Sequence, residues 1–349
     1  MRIILLTGVL ITLFVAPLRA QSEEKVINYQ TIADEPYGIK HLWVHVQPIT
    51  ADIFSTNSAL CYGVQAEYFL KNKVRFEGRV RGAWGQPFDF SREQAARNGG
   101  VFVNEELSLT LLNRWSRFTR MELGATYHVI DKAKKGTAKI VLVHKKREKY
   151  KYERADRITV NAQVRNTVGA RGGFAFYETT AFLSPTLLGQ DVTLPGSDGS
   201  TLRHTVNNGN SLFTNVTSPG FYVGGSYGII RNVSVKADRF GQLGNDRIFT
   251  VYADALISPW LSLEDLEARV PDTEQTVTYS MENIDVRKWG FRVGFDMMFN
   301  QKSYFSFGGE MGLRPAIVGR AFYTELKVGL PVFGFRFEQQ RTANNTGGF

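Results

Sequence analysis

Among its 349 residues the chain has one cysteine, Cys61, so it forms no internal disulfide. Beyond residue 22 no apolar run approaches the ~18 residues of a candidate membrane helix, which excludes an α-helical membrane protein. No GxxxxGK(S/T) phosphate loop is present, since Asp131-Lys132-Ala133-Lys134-Lys135-Gly136-Thr137 has its Lys and Gly in the wrong order. HExxH and CxxC are also missing, so no metal site and no cofactor is expected. His41 and His45, four apart on a strand, would stand about 13 Å apart, too far to share one metal. Stability must therefore come from a core or from a closed network of strands.

The first residues have an order of their own. Met1-Arg2 is basic, Ile3 to Pro17 is an apolar run, and Leu18-Arg19-Ala20 closes it with a small last residue. This predicts a secretory signal peptide over 1–20, cut after Ala20. The run is about 15 residues, short of the roughly 20 that span a bilayer as a helix. The cut would remove Arg2 and Arg19 from a chain of formal charge +9. A polar leader is expected over 21–37.

The dominant pattern from Leu60 to Phe337 is alternation with period two, the signature of β-strands. Val74, Phe76, Val80 and Trp84 share one face, opposite Arg75, Glu77, Arg79 and Arg81. Met121, Leu123 and Tyr127 oppose Arg120, Glu122 and His128. Ile158, Val160, Ala162, Val164 and Val168 oppose Arg165 and its polar neighbours. Similar faces recur over 249–257, 289–299, 305–314, 322–330 and 333–338. A soluble sandwich would bury the apolar face, whereas a membrane barrel would turn it to lipid. The segments run about ten residues or more, the length of a tilted membrane strand. The polar faces carry Arg and carboxylates in mid-strand, and Trp43, Trp84, Trp115, Trp260 and Trp289 lie at segment ends, where interfacial rings belong.

The predicted fold is therefore all-β, a transmembrane antiparallel β-barrel over 38–340. Fourteen strands fit best and twelve to sixteen fit the same pattern, with starts near 41, 59, 74, 104, 118, 138, 157, 219, 232, 246, 286, 303, 317 and 331. Outer loops are expected near 85–103 and 184–218, rich in Gly, Asn, Ser or Asp as mobile loops are. A periplasmic insert is expected near 258–285, with a short amphipathic helix at 260–269, and a tail over 341–349.

The candidate site is the set of charges facing the lumen: Arg75, Glu77, Arg79, Arg81, Arg120, Glu122, Arg165, Asp254, Arg292, Asp296, Glu310, Glu325, Lys327 and Arg336. Lys236 and Glu338 share the pattern. Such rings set ion selectivity in an open pore and form a salt-bridge network in a plugged one. A partly open lumen is the expected state. A charge on the lipid face costs roughly 2–4 kcal/mol near mid-membrane, so Phe295→Arg should impair assembly more than Asp296→Arg. The run 145–154 is the densest charge cluster and reads as a solvated hairpin end; nucleic acid is not an expected partner of an exported chain. No serine is placed beside His128, so no catalytic residue is assigned, and a lipid hydrolase is the least favoured reading.

The signal peptide, the alternating segments and the final Phe333-Gly334-Phe335-Arg336-Phe337 together resemble bacterial outer-membrane β-barrel proteins over roughly 38–340. The Ala20-Gln21 junction is similar to exported proteins of Bacteroidota. The resemblance implies a Gram-negative outer membrane, contact with its lipids and lipopolysaccharide, and insertion by the barrel assembly machinery, which reads an aromatic-rich last strand. Here the chain departs from the pattern, because residues follow that strand up to Phe349. Two functions fit: a channel or passive transporter for small hydrophilic solutes, or a non-transporting structural barrel that binds an envelope protein, such as a secretion or assembly accessory.

Overall fold

The computed structural model describes residues 28–70, 73–97, 101–103, 108–142, 156–203, 211–237, 241–270, 275–300 and 305–335. The signal-peptide reading, the run 145–154, Arg336 and the tail lie outside the described residues.

Ten strands close on themselves. In chain order they are β1 (Leu42–Phe54), β2 (Ser58–Leu70), β3 (Val74–Ala83), β4 (Thr119–Leu142), β5 (Asp156–Phe182), β6 (Phe213–Arg231), β7 (Arg247–Ile257), β8 (Trp289–Phe299), β9 (Ser306–Leu313) and β10 (Phe322–Phe335). Each pairs antiparallel with the next, and β10 pairs back on β1 from Leu42↔Phe335 to Phe54↔Tyr323. Closure leaves no free edge in the wall. The alternation sorts the side chains as the sequence implies. On β3 the arginines and Glu77 are buried inside while Phe76 and Val80 are exposed outside. On β8 Arg292 and Asp296 face in, and Trp289, Phe291 and Val293 face out.

The expected fourteen strands are corrected to ten, for three reasons. The segments near 118 and 138 are one strand, because β4 runs through a bulge between His128 and Ile130. Those near 317 and 331 merge into β10, which carries a register shift opposite Val44 and His45. Two others leave the wall: Ser108–Leu111 pairs with Val101–Val103, and Val233–Ala237 joins a separate sheet. Alternation persists through a bulge and in any strand, whichever sheet it joins.

Loops 84–118, 183–212, 258–288 and 314–321 share one end of the barrel. The insert 258–288 therefore lies beside the loops 84–118 and 183–212. Its predicted helix is replaced by two short strands, Ser262–Leu263 and Leu266–Arg269. The described residues of these loops form a cap. Thr276–Tyr279, Leu266–Arg269, Ser108–Leu111 and Val101–Val103 form a four-stranded sheet. Leu109, Leu111, Leu183, Leu187, Leu194, Leu202, Leu266 and Val277 bury their side chains in one apolar core, which also takes in Phe54, Tyr177 and Tyr323 from the wall. Asn215 at the top of β6 fastens it, donating to the Arg114 carbonyl (2.6 Å) and accepting from the Ser116 N–H (2.9 Å). Inside the cap Asp89 is fully buried between Asn57 and the Phe118 N–H. Burial pushes its carboxyl up, against those two hydrogen bonds.

The opposite end carries residues 28–37 of the leader, the facing ends of β2 and β3, and the projecting part of the β4–β5 hairpin. Tyr29–Asp34, Val233–Ala237 and Gly241–Asn245 form a three-stranded sheet there. Val233 and Val235 pack on Ala138, Ile140, Val160 and Ala162 of the hairpin. The predicted apolar face of 158–168 is thus divided: Val168 is exposed on the barrel exterior, while Val160 and Ala162 are covered by protein. We call this end the pedestal.

Candidate functional site: the filled lumen

Inside the wall, Arg75, Arg79, Arg81, Arg120, Arg171, Arg292, Arg314 and Lys327 meet Asp52, Glu67, Glu77, Glu122, Asp254, Asp296, Glu310 and Glu325, and all sixteen are buried. Eight cations balance eight carboxylates, so the layer is neutral. They are linked in one chain of contacts. Arg171 bridges Glu77 and Asp254, and Arg292 bridges Asp254 (2.8 Å) and Glu122 (2.7 Å). Arg120 reaches Glu122, Glu310 and Glu325. Arg314 holds Asp52 with both terminal nitrogens, and Arg81 joins Glu325. Asp296 takes Arg79 (2.9 Å) and Lys327 (2.5 Å). A buried charge is tolerated only when paired, and here each has at least one opposite partner.

Tyrosines lock the network to the wall. Tyr252 pairs in register with Gly294, and Gly294 with Glu310. With no side chain at Gly294, the Tyr252 ring lies across it and donates to Glu310 Oε2 at 2.9 Å; a Cβ there would meet the ring at 2.5 Å. Tyr222 repeats the device over Gly173 and Gly124, donating to Glu77 at 3.0 Å. Arg171 stacks over the Tyr252 ring at 4.1 Å, Arg292 over Tyr222 at 4.6 Å and Arg314 over Tyr323 at 3.7 Å.

Apolar layers close the lumen on both sides of the charges. Toward the cap stand Phe54, Tyr177 and Tyr323. Toward the pedestal stand Ile39, Trp43, Phe69, Ile230, Ile248 and Met298. Among the described residues, two small gaps of about 30 Å³ and 10 Å³ lie against the network, space for one or two waters, and a larger one of about 400 Å³ is lined by Glu310 and Glu325 together with the outward-facing Val251, Val293, Met311 and Leu326. The expected open lumen is therefore corrected to a filled one, since residues long enough to reach across pair at the centre.

Most of the predicted lumen set is brought together. Arg165 is apart: it pairs with Asp131 at the pedestal and stacks on Tyr37 at 4.5 Å. Lys236 is exposed on the separate sheet. Trp43 is a correction, being buried in the lumen against Phe69 at 5.3 Å. A register shift between Gln47 and Thr50 changes which parity of β1 faces inward. Trp115 packs partly buried against the cap core. Asp52, Glu67, Arg171 and Arg314 are absent from the predicted set, although Glu67 and Arg314 stand on recognisable polar faces, with Gln65 and with Glu310. The tyrosine locks carry a signal only in register, as Tyr opposite Gly opposite Glu on successive strands.

The fold and site define a closed antiparallel β-barrel of ten strands with a neutral, filled interior. No family model matches the chain and no curated protein is significantly similar to it. Among solved structures it is similar to the CymD monoaromatic hydrocarbon channel, at 9% identity over 87% of this chain and 93% of that one, with a TM-score of 0.27. It is also similar to a deltaS2S3 mutant of the TodX monoaromatic hydrocarbon channel, at 10% identity over 84% and 89% of the two chains, with a TM-score of 0.19. Likeness at this level carries no argument, and the barrel rests on its own strand pairing.

Proposed function

We propose that this chain is a non-conducting outer-membrane barrel that serves as a structural or complex-forming component of the envelope. The observation that carries this reading is the charge layer sealed between two apolar layers. Membrane insertion is supported by the exterior, where Ile49, Val64, Phe76, Val80, Leu123, Val223, Val293, Leu326 and Val328 are exposed around the wall. Exposed Trp84, Trp260 and Trp289 ring the cap end, and Tyr127 and Tyr227 the pedestal end, as in interfacial girdles. Outer-membrane barrels keep long loops outside and short turns inside, so the cap faces out and the pedestal faces the periplasm. After Cys61→Ala, a probe at Ser197→Cys should react with an impermeant reagent on whole cells, and one at Thr137→Cys should not; the reverse pattern inverts the topology. Purified protein in planar bilayers should be electrically silent. Stepwise conductance from folded protein would replace this reading with that of a channel for small hydrophilic solutes.

One observation favours a second reading, a channel for small solutes that enter through the wall. The β6–β7 ladder stops at Phe221↔Ile257, and above it Val216 and Thr217 pair instead with Leu263 and Ser262. Ser258 spans the break by donating to the Pro219 carbonyl at 2.7 Å. The 30 Å³ gap lies here, with Phe221 and Ile257 on its outer side and Arg292 and Arg314 on its inner side. Solute uptake by protein-loaded vesicles that Phe221→Trp blocks would support it; uptake equal to empty vesicles would remove it.

A further inference from the structure

The projecting part of the β4–β5 hairpin has one covered side and one bare side. Lys135, Thr137 and Lys139 on β4 stand opposite Gln163, Asn161 and Thr159 on β5, and Arg157 continues that side. All are exposed. The other side is the one packed under Val233 and Val235. The bare face presents three cations and no carboxylate, and among the described residues none of the three cations is in an ion pair.

Its edges are already engaged. The Asp34 carboxylate accepts the Gln163 backbone N–H at 2.8 and 2.9 Å, and Asn245 donates its amide to the Lys139 carbonyl at 2.9 Å. A partner cannot add as a further strand at these points, so recognition has to run through the side chains of the face. The apolar core behind it holds those side chains on a fixed frame, which lowers the ordering cost of binding.

Position separates two sources of negative charge. Lys139 lies about 36 Å of strand beyond His128, at roughly 3.3 Å per residue. At a barrel tilt of about 35–45° that is roughly 25–30 Å along the membrane normal. A headgroup layer is only about 5–8 Å deep. The face therefore stands past the lipid surface and in the periplasm. We propose that it docks an acidic protein surface there. This rests on the complex-forming reading above and names its point of contact.

The test uses the full chain in detergent, with poly-L-glutamate as the acidic probe and phosphatidylglycerol vesicles as the lipid probe. The variant Lys135→Gln/Lys139→Gln/Arg157→Gln should bind poly-L-glutamate about ten-fold more weakly, each exposed pair contributing a factor of about two. Arg97→Gln/Arg203→Gln/Lys288→Gln removes the same charge at the cap and should bind like the parent. Equal weakening by both variants would reduce the effect to net charge and overturn the proposal. Binding to the vesicles but not to poly-L-glutamate would assign the face to lipid and overturn it too. Conductance of the same preparations reads the plugged state separately. A conducting barrel that loses poly-L-glutamate only in the face variant keeps the docking face and refutes the plug. A silent barrel whose face variant binds like the parent keeps the plug and refutes the face.

Discussion

The lumen and the cap are packed by opposite rules. The lumen core is made of charges, glycines and tyrosines, while the cap core, a few residues further along the same axis, is mostly aliphatic, led by Leu with Val, Ala and Ile. The wall explains the difference. Alternate residues of each wall strand point outward, to lipid in the membrane-spanning reading proposed above, so that face is unavailable for a core and the other face must fill the interior. The cap stands outside that constraint and packs as a soluble domain does. Burying ions in the lumen is weak evidence of stability, because desolvation opposes the Coulomb gain. Its effect is to make each position dependent on its partners.

The most damaging way to break this contrast is Asp296→Arg. It would place a third cation against Arg79 and Lys327. Removing one partner of a buried pair costs about 3–5 kcal/mol, and added repulsion should prevent assembly, read as loss of the heat-modifiable folded band on gels. This reverses the order expected from the sequence, in which Asp296 faced a hydrated lumen. In the cap, Leu266→Ala empties a fully buried site. It should cost about 2–5 kcal/mol and expose the cap to protease, while the barrel band survives. Loss of both together would show that the two cores fold as one.

Phe295→Arg changes the exterior side alone and, if that side meets lipid as proposed, should cost roughly 2–4 kcal/mol, less than its neighbour at 296. Equal tolerance at 295 and 296 would mean that the exterior does not meet lipid. The smallest effect is expected from a double change. Arg314→Met alone leaves Asp52 with only Arg120, at 3.8 Å, and should destabilise strongly. Arg314→Met with Asp52→Leu removes both charges of a bidentate pair and should come within about 1 kcal/mol of the parent in urea unfolding, as hydrophobic replacement of whole buried pairs does. A double variant as unstable as the single one would show that the network acts as a unit.

The sequence by itself determined the strands and their faces. Phe76 and Val80 point out and Arg75 and Glu77 point in because successive strand residues have no other choice. It also determined that Arg120, Glu122, Arg292 and Glu310 share an interior. Tertiary structure alone decided how many strands close the wall, since a bulge after His128 and a register shift opposite Val44 leave the alternation intact. It decided that Val160 is covered by a sheet while Val168, on the same face, is not. It decided that the lumen is filled, because whether two buried charges meet depends on which strands lie across from each other, and closure sets that.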